Sequence, residues 1–131
     1  MPGTPHRILV VDDEADLVAV LRLGLELEGF QVLDARDGEM GLQRAQEERP
    51  DLVLLDLMLP KMDGYKVCRA LKFDARYRKI PVFILSARPG EHDGKLALEM
   101  GADAFISKPY ELADLVIRIR KQLELSGRAA A

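Results

Sequence analysis

Residues 51–64 read DLVLLDLMLPKMDG. Four apolar residues, 52–55, run without interruption into Asp56, and a segment containing Pro60 and Asp63-Gly64 follows. An unbroken apolar run of this length, rather than an alternating one, describes a strand covered on both faces, as in a parallel sheet. Pro, Asp and Gly are turn formers, so the strand ends here and Asp56 stands at its C-terminal tip.

The same grammar recurs on both sides of this block. RILVV (7–11) runs into Asp12-Asp13, PVFIL (81–85) into Ser86, and AFIS (104–107) into Lys108-Pro109, while 30–35 is a more mixed strand. Helical spacing fills the intervals. Leu17, Val20, Leu21, Gly24 and Leu25 mark an apolar stripe in the first helix, with Gly29 as its stop. The second helix is predicted at 38–47, the third at 65–73 and the fourth at 93–100, with Gly101 as its stop. A fifth, at 111–123, turns Leu112, Leu115, Val116, Ile119 and Leu123 inward and leaves Arg118, Arg120 and Lys121 outside.

Strand and helix therefore alternate five times with short connections. That pattern predicts an α/β fold, a (βα)5 doubly wound parallel sheet of five strands in a three-layer sandwich. The flavodoxin-like version has the strand order 2-1-3-4-5, and ligands bind where that order reverses, outside the ends of the first and third strands. Those are the strands that carry Asp12, Asp13 and Asp56. A parallel sheet brings all its strand C-termini to one edge, so Ser86 and Lys108 belong to the same neighbourhood.

Bulk properties bound the possibilities. With 131 residues, 48% of them hydrophobic, the chain is expected to form one domain with one sizeable core. We expect residues 1–125 to form that domain and 126–131, SGRAAA, to be a structureless tail or the start of a linker. A net charge of −3 gives no basic footprint for nucleic acid. One cysteine, Cys68, precludes an internal disulfide and reads as a small packing residue on the third helix. No signal peptide is visible at the start, and no run approaches the ~20 apolar residues of a membrane span. The expected setting is the cytoplasm.

An aspartate at a strand end is, singly, an ordinary turn or cap residue. Three together are costly, because two like charges ~4 Å apart repel by ~4 kcal/mol at an effective dielectric of ~20. A divalent cation offsets that repulsion, and an all-oxygen site with few protein ligands suits Mg2+. Zinc is disfavoured because no Cys/His cluster exists. A carboxylate can also attack phosphorus and become an aspartyl phosphate, with nearby positive charge neutralising the phosphoryl oxygens. Asp56, on the central strand, is the candidate nucleophile, Lys108 the fixed cation and the Ser86 hydroxyl a donor to a phosphoryl oxygen.

With those residues in place, the chain resembles the receiver domains of two-component response regulators over about 7–125. VVDDE (10–14), DLVLLDLMLPKMDG (51–64), ILSA (84–87) and GADAFISKP (101–109), in that order and spacing, carry the resemblance. It implies phosphoryl transfer to Asp56, assisted by Mg2+, from the phosphohistidine of a histidine kinase or phosphotransfer protein. It further implies that Asp13 and Asp56 bind the metal directly, Asp12 through water, and Met58 through its backbone carbonyl. Lys108 then pairs with the acceptor or the phosphoryl group, Pro109 follows a cis peptide bond, and Ser86 and Phe105 form a switch pair. The output surface implied is the fourth helix, fifth strand and fifth helix, decorated by Lys95, Asp103, Asp114, Arg118 and Arg120. A homodimer can form on that face in the family, but here Ala104 stands where a second acid is often found. Arg88 is positioned to modulate access to the phosphoryl group, and His6 and His92 are isolated.

By the same resemblance the domain catalyses only its own phosphorylation and dephosphorylation. It can be a free-standing module or part of a larger transcription factor or hybrid kinase. An aspartate-dependent phosphatase of similar fold would carry Asp-x-Asp on the first strand, whereas Asp12 and Asp13 are adjacent. A flavin-binding module would need a Ser/Thr/Gly-rich phosphate loop where DDEAD stands (12–16).

Overall fold

Each apolar run becomes a strand, and all five strands pair in parallel. The structure, a computed structural model, describes residues 5–86, 95 and 99–130. In chain order the elements are β1 (Arg7–Val11), α1 (Ala15–Leu27), β2 (Gln31–Ala35), α2 (Gly38–Glu48), β3 (Leu52–Asp56), α3 (Gly64–Lys72), β4 (Val82–Ser86), β5 (Ala104–Ser107) and α4 (Leu112–Ala130). The sheet order is β2-β1-β3-β4-β5, the expected doubly wound arrangement. The fourth predicted helix, 93–100, together with Arg88 and His92, lies outside the described residues apart from Lys95, Glu99 and Met100.

Side chains alternate across the sheet and build two cores, one on each face. Ile8, Val10, Leu54 and Leu85 pack with Leu21 and Leu25 of α1 and with Leu115 and Ile119 of α4. Leu9, Val11, Leu55 and Ile84 pack on the other face with Ala45 of α2 and with Val67 and Leu71 of α3. Each such buried Leu, Ile or Val contributes roughly 1.5–3 kcal/mol relative to exposure. Cys68 is fully buried in the second core, and burial pushes its thiol up to about 11, which fits a packing role.

Helix ends follow local chemistry. The Asp37 side chain accepts the Met40 N–H at the start of α2, and Asp63 accepts the Lys66 N–H at the start of α3. Gly29 (φ 94°) takes the left-handed turn after α1 that side chains avoid.

Two local expectations differ from the structure. On α1 the buried residues are Val18, Leu21 and Leu25, and Val20 is 67% exposed. The inward face is set by the approach of α4, whose Leu112 lies where a side chain on Gly24 would be, which leaves Val20 on the outer shoulder. The tail expected to be structureless instead continues α4 to Ala130. Leu123 anchors the preceding turn in the core, and the alanines beyond it favour helix strongly enough to outweigh Gly127, which costs roughly 0.5–1 kcal/mol. No helix among the described residues is long and apolar enough to cross a membrane.

Candidate functional site

Strand register decides which side chains meet at the C-terminal edge of the sheet. Val11 is level with Leu55, and Asp12 extends β1 by one residue, its N–H donating to the Ala35 carbonyl at 3.1 Å. Asp12 is therefore level with Asp56. Asp56 is level with Leu85 and Leu85 with Ile106, so Lys108, two residues on, shares Asp56's side of the pleat. The Lys108 N–H continues the pairing to the Ser86 carbonyl at 2.7 Å, and the Lys108-Pro109 bond is cis.

Those placements bring charge together. The Lys108 Nζ lies 3.1 Å from Asp12 Oδ2 and 3.6 Å from Asp56 Oδ2. Asp12, Asp13 and Asp56 each offer a carboxylate oxygen within 4.8 Å of the others. Asp12 and Asp56 are buried, Asp56 to 5% exposure, while Asp13 faces solvent. Asp12 Oδ1 accepts the Glu14 N–H at 2.9 Å and Asp56 Oδ1 accepts the Met58 N–H at 3.2 Å, which ties both carboxylates to the loops that follow them.

The balance of charge is negative. Burial raises the Asp56 pKa above the ordinary carboxylate range; Lys108 and the Met58 N–H pull it down, and Asp12 and Asp13 push it up. Burial acts to lower the Lys108 pKa, but Asp12 and Asp56 outweigh it and the net shift is upward, so the ammonium is firmly charged. Among the described residues Lys108 answers two of the three clustered carboxylates, Asp12 and Asp56, and the three together are a set of hard oxygen donors that suits a small divalent cation. Oxygens around Mg2+ at ~2.1 Å stand about 3–4 Å apart, so a group spanning 4.8 Å admits direct ligation by some members and water between the ion and others.

The remaining predicted residues are placed as follows. Ser86 ends β4, fully buried, and Phe105 is level with Ile84, which puts Ser86 and Phe105 on one side of the pleat, opposite Asp56. Phe105 is half-buried against the α2–α3 core. Met58 is 56% exposed beside the cluster. On the expected output face, Asp103 is taken by Lys72 at 3.0 Å and Arg120 by Glu28 at 2.9 Å, both within the chain.

Two groups near the site were not anticipated. Tyr110, just beyond Pro109, is half-buried, and burial raises its hydroxyl pKa. Asp37 and Gly38 touch the loop after β3: the Gly38 N–H donates to the Pro60 carbonyl at 3.3 Å, and Asp37 Oδ2 lies 3.7 Å from the Lys61 Nζ. A second Asp-Gly pair, matching Asp63-Gly64, was the available signal, but nothing local in it indicates a contact across more than twenty residues.

Comparison with known proteins identifies the family. The family model described as response regulator receiver domain matches residues 8–120. The chain is 43% identical to the alkaline phosphatase synthesis transcriptional regulatory protein PhoP of Bacillus subtilis, covering 95% of this chain and 51% of that protein. It is 44% identical to the transcriptional regulatory protein PrrA of Mycobacterium tuberculosis, covering 97% and 54% respectively. The chain thus spans about half the length of the curated relatives it matches. A solved CheY-like response regulator receiver domain protein from Methanospirillum hungatei superposes with a TM-score of 0.89 at 27% identity, covering 95% of this chain and 98% of that one. With the family model matching most of its length and the strand order shared with the solved receiver fold, the chain belongs to the receiver domains of two-component response regulators.

Proposed function

We propose that this domain accepts a phosphoryl group on Asp56 from the phosphohistidine of a histidine kinase or phosphotransfer protein. The observation that carries this reading is the convergence of a buried Asp56 with the Lys108 ammonium at 3.6 Å and with the carboxylates of Asp12 and Asp13. An Asp56 carboxylate oxygen attacks phosphorus, a P–O bond forms as the P–N bond breaks, and the donor imidazole leaves and takes up a proton. Lys108 follows the charge from the carboxylate onto the phosphoryl oxygens, which it can do without leaving Asp12. The Ser86 hydroxyl donates to a phosphoryl oxygen, and Phe105, on the same side of the pleat, turns inward behind it.

Asp13, Asp56 and the Met58 carbonyl would hold Mg2+, with Asp12 acting through water, and the ion when bound supplies neutralising charge at the phosphoryl group. The domain catalyses only its own phosphorylation and dephosphorylation. Its partners are the kinase and a downstream effector, and its setting is the cytoplasm. Relatives of about twice this length that bear the names of transcriptional regulators favour a second, compatible reading, in which this domain is the receiver half of a transcription factor.

Intact-protein mass spectrometry after incubation with acetyl phosphate and Mg2+ tests the reading. The wild type should gain one phosphoryl group only when Mg2+ is present, and Asp56→Asn should gain none. A folded wild type that acquires neither a phosphoryl group nor a beryllofluoride adduct would overturn it.

A further inference from the structure

The loop after β3 supplies Met58, yet Met58 is held by little of its own. Its side chain is 56% exposed, and its N–H reaches Asp56 Oδ1 at 3.2 Å. What fixes the loop lies on either side of it. At its far end the Gly64 N–H donates to the Leu57 carbonyl at 3.1 Å. Gly64 also sits so close to β3 that a Cβ there would lie 2.4 Å from the Asp56 carbonyl oxygen. In its middle, the Met62 N–H donates to the Pro60 carbonyl at 2.8 Å, making a tight turn in which Lys61 adopts φ 67°.

That turn is pressed against the start of α2. The Gly38 N–H donates to the Pro60 carbonyl, and a Cβ on Gly38 would lie 1.7 Å from the Met62 carbonyl oxygen and 2.6 Å from its carbon. Both atoms are backbone, so no side-chain rotation relieves the clash, and loop or helix must move by roughly 1 Å. The Lys61 ammonium reaches back to Asp37, whose other oxygen caps α2 through the Met40 N–H at 2.7 Å.

We propose that Gly38, with the Asp37–Lys61 pair, is a positioning element for the metal site: it seats the 60–62 turn on α2 and thereby aims the Met58 carbonyl. The inference rests on the proposed role of Met58 as a backbone ligand. Mg2+ demands near-ideal octahedral geometry, so a displacement of roughly 1 Å in one fixed ligand weakens binding. Residues that support metal ligands in this way typically govern affinity by ~10–100-fold.

The experiment measures the half-saturating Mg2+ concentration in two ways, from phosphoryl incorporation out of acetyl phosphate and from the Mg2+-dependent rise in melting temperature. Gly38→Ala should raise both by ~10-fold or more while incorporation at saturating Mg2+ is retained. Gly41→Ala is the structural control. It lies on the same helix and its Cβ would meet Val11 Cγ1 at 2.6 Å, so it should lower the melting temperature without moving the half-saturation point. Lys61→Gln, at an exposed position, supplies the second arm. Removing a cation beside an acidic cluster would by itself tighten Mg2+ binding, so a weakening of a few-fold reports positioning. If Gly38→Ala fails to fold, Lys61→Gln decides: unchanged or tighter Mg2+ binding overturns the inference. A normal wild type with wild-type half-saturation in both variants overturns this inference alone. A wild type indifferent to Mg2+ overturns the phosphoacceptor reading with it.

Discussion

The two ends of this sheet carry aspartates in opposite circumstances. At the N-terminal end Asp103 and Asp51 are each answered by partners. Asp103 Oδ2 accepts both the Lys72 Nζ at 3.0 Å and the Val82 N–H at 2.8 Å, and Lys72 also donates to the carbonyls of Arg78 and Ile80. Asp51 accepts the Arg7 N–H at 2.8 Å, while the Arg7 side chain holds Glu48. At the C-terminal end three carboxylates cluster, and among the described residues Lys108 pairs with two of them, Asp12 and Asp56. The first arrangement closes the fold around β4 and β5. The second keeps unbalanced charge at the one edge where the topology leaves an opening. The contrast separates aspartates that hold the structure from aspartates held in reserve by it.

The largest expected effect breaks the balanced end. Asp103→Asn removes charge from two hydrogen bonds and leaves Lys72, itself mostly buried, without its counter-ion. We expect a loss of ~2 kcal/mol in urea-denaturation stability, with phosphoryl incorporation retained. Next in size is the gain from filling the unbalanced end. Mg2+ at ten times its dissociation constant should stabilise the wild type by about 1.4 kcal/mol, seen as a higher melting temperature. Asp13→Asn should blunt that gain, and an equal gain in the variant would count against Asp13 as a ligand.

The smallest effect is the most diagnostic, because the same exchange now acts with the opposite sign. Without Mg2+, Asp56→Asn should stabilise the domain by ~1 kcal/mol at neutral pH, since it removes a buried charge disfavoured first by desolvation and then by its neighbours Asp12 and Asp13. The pH dependence follows from the raised pKa of Asp56. A carboxyl whose folded pKa lies above its unfolded value favours the folded state fully below the unfolded pKa, and loses that contribution as pH rises through the folded pKa. The advantage of Asp56→Asn should therefore shrink as pH falls through the raised pKa of Asp56, where the wild-type carboxyl also becomes neutral. A stability difference that stays constant across that interval would mean that folding places no penalty on the Asp56 charge.

Most of this site is legible in the sequence because a parallel sheet converts sequence position into spatial position by a simple rule. Asp12, Asp56, Ser86 and Lys108 each follow an apolar run, and the rule brings them to one edge. The rule is silent on contacts made by loops. The seat of the 60–62 turn on Gly38 depends on how far α2 leans toward α3, which no local pattern reports. Helix faces are less legible than strands. Val20 satisfies the spacing of an inward stripe on α1 but lies outside it, because the position of α4 sets that stripe. The end of α4 is obscured for a different reason: a short Ser-Gly-Arg-Ala stretch resembles a linker by composition, whereas the helix is already nucleated and needs only residues that do not stop it.

The two cores set on opposite faces of one sheet impose a kind of reading frame on the central strand. Leu54 belongs to one core and Leu55 to the other, with Asp56 next in turn. Deleting or inserting a single residue within β3 would exchange the memberships of its leucines and carry the Asp56 carboxylate to the face away from Asp12 and Lys108. Substitutions along the strand cost packing, but a change in length by one costs both cores and the site at once. Length changes are therefore borne best by loops away from the 57–63 segment, and worst in the run of residues leading into the acceptor.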